Sequence, residues 1–320
     1  MSRMQLKNRY KKFCEDRNTF GVGVAIKLQL SAFFPSPKCR INVILNLFKR
    51  LFKEELDYSR KDFKDGEYIK NPIVWSMWWQ GENALPDILK ISYMSHIRNI
   101  KNQGIDYRLV THDNYREFVD VPEYIIEKLN NGVISFTHFS DLLRILLLEK
   151  YGGTWVDITL LTLKPVDKEI FAYPFYSICL ENTNHKPTGL GQIITGCKWT
   201  GFMLSTNQAH FPLLVFIKKC LLKYWELNNH AIDYFFMNLI IRLGYENVVS
   251  FKDTIDRIPT NNPDLYSIQQ LLNKNYDDKL LFELKKKTTF FKVTQKVMYD
   301  TCAERNDTLY YYLSTIFNNK

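Results

Sequence analysis

The chain has 320 residues, 46% of them hydrophobic, which is enough for one large domain or two with a real core. Lysine and arginine exceed aspartate and glutamate by 43 to 34, and the excess sits entirely in residues 1–64, with 15 basic and 6 acidic side chains. The neutral remainder excludes a nucleic-acid binder with basic and aromatic residues interleaved on its body. Six scattered cysteines without a C-x-x-C, and no H-x-x-x-H pair, exclude a disulfide framework or a zinc site and suit reduced thiols in the cytoplasm.

Residues 21–34 come nearest to a membrane span, yet they contain Lys27 and Gln29 and fall short of the ~20 residues required. No small-residue cleavage site follows, so a signal peptide is not expected. Residues 41–56 are more informative: Ile41, Ile44, Leu45, Phe48 and Phe52 fall on one helical stripe, edged by Lys49, Arg50 and Lys53. A basic amphipathic helix of this kind can lie in a membrane interface, or it can pack its apolar face on the protein. With the charge asymmetry added, the expectation is a basic arm over residues 1–64 that contacts an anionic membrane surface.

The body, residues 65–320, emerges from a charged linker over 57–70. Residues 73–79 (I-V-W-S-M-W-W) predict a buried first strand that turns at Gln80 and Gly81. Pro86 opens a helix reaching to about residue 103, and residues 107–110 predict a second strand. Strand, helix, strand points to a parallel sheet in an α/β fold. A short helix follows over 122–129, closed by Asn131 and Gly132.

The chemistry concentrates in residues 137–162, T-H-F-S-D-L-L-R-I-L-L-L-E-K-Y-G-G-T-W-V-D-I-T-L-L-T. Strong helix formers, capped by Ser135 or Thr137, run to Gly152, which supplies the conformation that ends a helix. Thr154, Trp155 and Val156 then favour a strand, and Asp157 stands where it runs out. Asp141 and Arg144 are three apart on one helix face and can pair. A buried structural ion pair is one reading; the other is a ligand site outside the carboxyl end of a strand. Further on, residues 174–180 are strand-like, 189–201 contain four glycines as a ligand loop would, and 211–227 form an apolar helix. Residues 261–264 and 285–287 read as loops without chemistry.

D-x-x-R followed by G-G-x-W-x-D, in this order and spacing, resembles the sugar transferases that contain a DXD motif (glycosyltransferase family 32-like), and most closely the bacterial capsular polysaccharide synthesis proteins. The resemblance extends from about residue 71 to 296 and is strong over 135–162. It implies a GT-A-like nucleotide-sugar-binding fold and a retaining hexosyl transfer from a nucleotide sugar, most simply a UDP-sugar, to a lipid-linked surface glycan at the inner face of the cell membrane. It also implies roles for individual residues. Trp78 takes the place of an aromatic that stacks on the nucleobase; Ser140 and Asp141 lie near the donor ribose and sugar; Arg144 orients the sugar or its phosphate. Asp157 matches the first aspartate of the motif, and Thr159 replaces the second, the usual ligand of Mn2+ or Mg2+. A threonine hydroxyl is an oxygen donor without charge, so it holds such a metal weakly or yields the task to basic side chains. Asp233 corresponds to an acceptor- or donor-contacting position and Lys296 to a lysine that neutralises diphosphate. Since Thr159 departs from the motif, a non-catalytic homologue that binds sugar nucleotide within an assembly complex is the alternative.

Overall fold

The computed structural model describes residues 3–31, 33–34, 36–61, 66–184, 187, 189–299 and 305–318. The expected junction of arm and body, at residues 64 and 65, lies outside the described residues, as does Cys302; the other five cysteines are free thiols.

Four helices open the chain: α1 (Arg3–Phe20), α2 (Val22–Ser31), α3 (Lys38–Leu51) and α4 (Lys53–Ser59). The stripe anticipated for a membrane interface is instead core. Ile41, Ile44, Leu45, Phe48 and Phe52 are all buried, and the Phe48 ring meets those of Phe52, Tyr224 and Phe236 with centroids 5.3, 6.2 and 5.6 Å apart. An apolar stripe is satisfied by whichever apolar partner is nearest, and here the body supplies one. Polar ties fasten the same helices: Arg40 to Asp233 at 3.2 Å, His230 to the buried Asp16 at 3.0 Å, and Lys223 to Glu55 at 2.9 Å.

The body continues with β1 (Glu67–Tyr68), β2 (Ile73–Met77), α5 (Asp87–Asn99), β3 (Asp106–Val110), α6 (Tyr115–Phe118), α7 (Glu123–Asn130), α8 (Phe136–Tyr151), β4 (Gly153–Val156) and β5 (Leu160–Thr162). Then come β6 (Tyr176–Ser177), α9 (Leu190–Thr195), β7 (Met203–Thr206), β8 (Gln208–Ala209), α10 (Pro212–Leu227), α11 (Phe236–Asn247), α12 (Val249–Asp256), α13 (Ser267–Leu271), α14 (Asp278–Lys287), β9 (Phe290–Lys292) and α15 (Leu309–Asn318). The fold is mixed α/β. Its main sheet has the order β3-β2-β4-β7-β6. β2 runs parallel to β3 and β4, as helical crossovers require, while β7 and β6 continue the sheet antiparallel. Residues 189–201, anticipated as a loop, contain α9, and 285–287 end α14.

The glycine pair after α8 sets the position of β4. Gly152 and Gly153 both have positive φ (65° and 86°), and a Cβ on Gly153 would collide with the carbonyl oxygen of Ile73 in β2. Outside the main sheet, β5 and β9 pair antiparallel, with Leu160 opposite Lys292 and Leu161 opposite Phe291. The buried His96 of α5 locks this ribbon through the Leu160 carbonyl at 2.5 Å and the Tyr107 hydroxyl at 3.0 Å, and burial pushes the His96 pKa down to about 4. One core joins α3, α8, α10 and α11 to the main sheet; a second joins α5, α13 and α15 to the ribbon. No helix among the described residues is long and apolar enough to cross a membrane.

Because Phe48 is fully buried among three rings, Phe48→Ala should cost about 3–5 kcal/mol in denaturant unfolding. A cost well under about 1 kcal/mol would contradict the placement of the stripe in the core.

Candidate active site

Ser135 caps α8 by accepting the His138 amide at 3.2 Å, and the helix then buries every side chain from Leu142 to Glu149. Against that apolar background Asp141 and Arg144 face the end of β4. Arg144 is 5% exposed and donates to Asp141 Oδ1 at 2.9 Å, to Asp157 Oδ1 at 3.0 Å and to the Gly201 carbonyl. Its guanidinium lies 4.9 Å from the centre of the Trp155 ring, whose Nε1 donates to Asp157 Oδ1 at 2.7 Å. The helix, the strand and Asp157 are thus joined at one cation. The Asp157 amide donates to the Phe202 carbonyl at 2.9 Å, which fixes the turn that carries the carboxylate.

The other carboxylate oxygen, Asp157 Oδ2, faces Lys292 Nζ at 3.6 Å. The same ammonium donates to Thr159 Oγ1 at 2.5 Å and lies 4.3 Å from the centre of the Phe202 ring. Burial is the main influence on both outer members of the network. It raises the Asp141 pKa to about 6, although Arg144 opposes the shift and Asp157 adds to it. It lowers the Lys292 pKa, against the attraction of Asp157 and with help from the positive charge of Arg144.

These groups line a cavity of about 1220 Å³. Asp141, Arg144, Asp157 and Lys292 form a charged patch, and the walls carry amides (Asn182, Asn238, Gln270) and aromatic rings (Trp199, Tyr234, Tyr266). Amides and carboxylates bond hydroxyls, aromatic faces take the apolar face of a sugar ring or a base, and the cations meet phosphate. The arrangement suits a polyhydroxylated, anionic ligand.

Three expected site residues, Asp141, Arg144 and Asp157, meet here; a fourth, Thr159, adjoins them, and the rest lie elsewhere. Thr159 touches the site through Lys292. Trp78 is half-buried at the edge of the second core, with Nε1 on the Ala84 carbonyl at 3.2 Å, and does not line the cavity. Its neighbour Trp79 packs on His112, Tyr115 and Phe139. Ser140 is half-buried outside the lining. Asp233 is held by Arg40 and by the Phe235 amide, while the adjacent Tyr234 and Phe235 reach the cavity. Lys296 is exposed and away from it. The lysine that does enter is Lys292, and Asp264 and Lys287, from segments taken as uninformative loops, line the cavity as well. Strand alternation carried a signal for Lys292: Phe291 and Val293 belong to the second core, which turns Phe290 and Lys292 to the opposite face.

A family model described as "Capsular polysaccharide synthesis protein" matches residues 30–313. No curated protein matches the chain. Among solved structures, one titled "PaToxG Glycosyltransferase" is similar at 12% identity and a TM-score of 0.37, covering 78% of this chain and 86% of that chain.

The raised Asp141 pKa gives a stability signature. The folded protein holds this proton more tightly than the unfolded chain, so stability falls as pH rises from ~4 to about 6, as the ionised carboxylate becomes costly to bury. Asp141→Asn lacks that cost. Its melting temperature relative to the parent should therefore rise across this window, by the equivalent of about 3 kcal/mol, and level off above it. A gap that does not change with pH would contradict the shift.

Proposed function

We propose, from the premise that the chain belongs to the capsular polysaccharide synthesis protein family, that it is a glycosyltransferase with a GT-A-like arrangement, moving a sugar from a nucleotide donor, most simply a UDP-sugar, to a lipid-linked surface glycan. The observation that carries this reading is the joining of Asp141, Arg144 and Asp157 at the end of β4, in a cavity rich in amides, rings and cations. The cations meet the diphosphate, whose charge grows as the bond from its oxygen to the anomeric carbon breaks. The carboxylates lie where positive charge develops on the sugar. For the retaining outcome, the acceptor hydroxyl attacks the face from which diphosphate departs, and its proton passes to the departing phosphate oxygen.

A lipid-linked acceptor calls for a membrane-facing surface. With the α3 stripe in the core, that surface is best assigned to α2 and the residues after it. Val22, Ile26, Leu30, Phe33 and Phe34 are exposed there, with the exposed Lys27 among them and Arg9 over the Phe33 ring at 4.7 Å. Exposed apolar side chains edged by cations match the anionic inner face of a bilayer.

Two measurements test the reading. In a panel of sugar nucleotides with extracted lipid-linked glycan as acceptor, one donor should release its nucleotide, and Arg144→Ala should lower that rate by about a hundredfold or more, on the scale of losing a charge-stabilising donor. Binding without turnover of any donor would favour the non-catalytic homologue. Separately, the double variant Phe33→Ser/Phe34→Ser should sediment about tenfold less with phosphatidylglycerol vesicles, since two large apolar side chains leave the interface. Unchanged sedimentation would remove the membrane assignment.

A further inference from the structure

The position two residues beyond Asp157, where the resemblance led us to expect a metal ligand, is occupied differently. Thr159 offers only its hydroxyl, and that hydroxyl already accepts from Lys292 at 2.5 Å. Asp157 Oδ1 already accepts from Arg144 and Trp155, and Oδ2 faces the Lys292 ammonium at 3.6 Å. A Mg2+ or Mn2+ ion needs several oxygen ligands carrying net negative charge. It would find one carboxylate, engaged on both sides, and two fixed cations beside it. Among the described residues no cluster of three or more His, Cys, Asp or Glu side chains could hold a metal. These residues do not fit a divalent ion.

We infer that Lys292 takes the metal's place, supplying the positive charge that meets the diphosphate of a nucleotide donor, so that this site binds its donor without a divalent metal. The inference rests on reading the cavity as a nucleotide-sugar site. The backbone holds Lys292 firmly for the task. It pairs with Leu160 in the ribbon, its amide donates to the Leu265 carbonyl at 2.7 Å, and the next amide, of Val293, donates to the Thr159 carbonyl at 2.9 Å. The flanking Phe291 and Val293 are buried in the second core. An ammonium has three N–H donors. Thr159 accepts one of them and Asp157 attracts the ammonium at 3.6 Å without a hydrogen bond, which leaves donor capacity for a ligand in the cavity that Lys292 lines. Thr159 matters to this design because its neutral oxygen orients the ammonium without cancelling its charge, as a second carboxylate would. Lys287 at the cavity wall adds a further cation. Fixed donors of this kind stabilise a leaving diphosphate by preorganisation, the service a metal performs elsewhere.

The test is calorimetric titration of the full chain with UDP, GDP, CDP and TDP, in chelator and in excess Mn2+, together with Mn2+ binding followed by electron paramagnetic resonance in the absence of nucleotide. At least one diphosphate should bind with the same Kd within about twofold in both conditions, and the protein alone should leave the free Mn2+ signal unchanged. Lys292→Ala, shown to be folded by circular dichroism, should weaken binding in chelator about tenfold or more, as loss of a charged hydrogen bond does, and Lys292→Arg should retain most of it. The double variant Thr159→Asp/Lys292→Ala should bind Mn2+ and need it for the nucleotide. If the parent protein binds a diphosphate only with Mn2+, or Lys292→Ala binds as well as the parent in chelator, the inference fails while the nucleotide site stands. If no diphosphate binds under any condition, the functional reading fails and the inference with it.

Discussion

The site depends on one guanidinium. Arg144 reaches from the middle of α8 to Asp141 on its own helix and to Asp157 at the end of β4, and covers the Trp155 ring between them. Arginine suits this place because its planar fork serves two carboxylates and a carbonyl at once, and because it stays charged when buried. Removing it would leave two carboxylates facing each other in a poorly solvated place, which is far costlier than losing an exposed pair. The raised Asp141 pKa shows how near that limit the arrangement already lies.

The rest of the local structure serves this convergence. The positive-φ glycines bring β4 against β2, and at the end of β4 Asp157 lies within reach of Arg144 in α8. His96 secures the β5–β9 ribbon from behind, and the ribbon delivers Lys292 to the other side of the same carboxylate. Two cores, one on each side, make the positions stiff, since close-packed interiors do not yield continuously.

How far this was legible in the sequence varied with the range of the interactions. Short-range signals were clear: a cap at Ser135 or Thr137, the α8 helix, the glycine pair, β4, the Asp141–Arg144 spacing and the parallel start of the sheet all follow from neighbours in the chain. Long-range pairings were not. That Lys292 and not Lys296 enters the site depends on β9 pairing with β5, more than a hundred residues earlier, and on which face of the strand the second core claims. Likewise, the α3 stripe has a period and charge that suit a membrane and a protein core equally; Tyr224 and Phe236 decide between them. Asp264 and Lys287 reach the cavity by tertiary placement that no local pattern announces.

The fastening of the amino-terminal helices has a consequence of its own. Arg40 holds Asp233 and the Ile232 carbonyl, Asp16 holds His230, and the two residues that follow, Tyr234 and Phe235, form part of the cavity wall. The surface assigned to the lipid and the wall assigned to the sugar therefore belong to one mechanical unit, linked through a stretch of only a few residues. Shortening the chain from its start would strip the cover from Tyr224 and Phe236 and slacken that wall. Such a truncation would report on the integrity of the pocket rather than on membrane attachment alone.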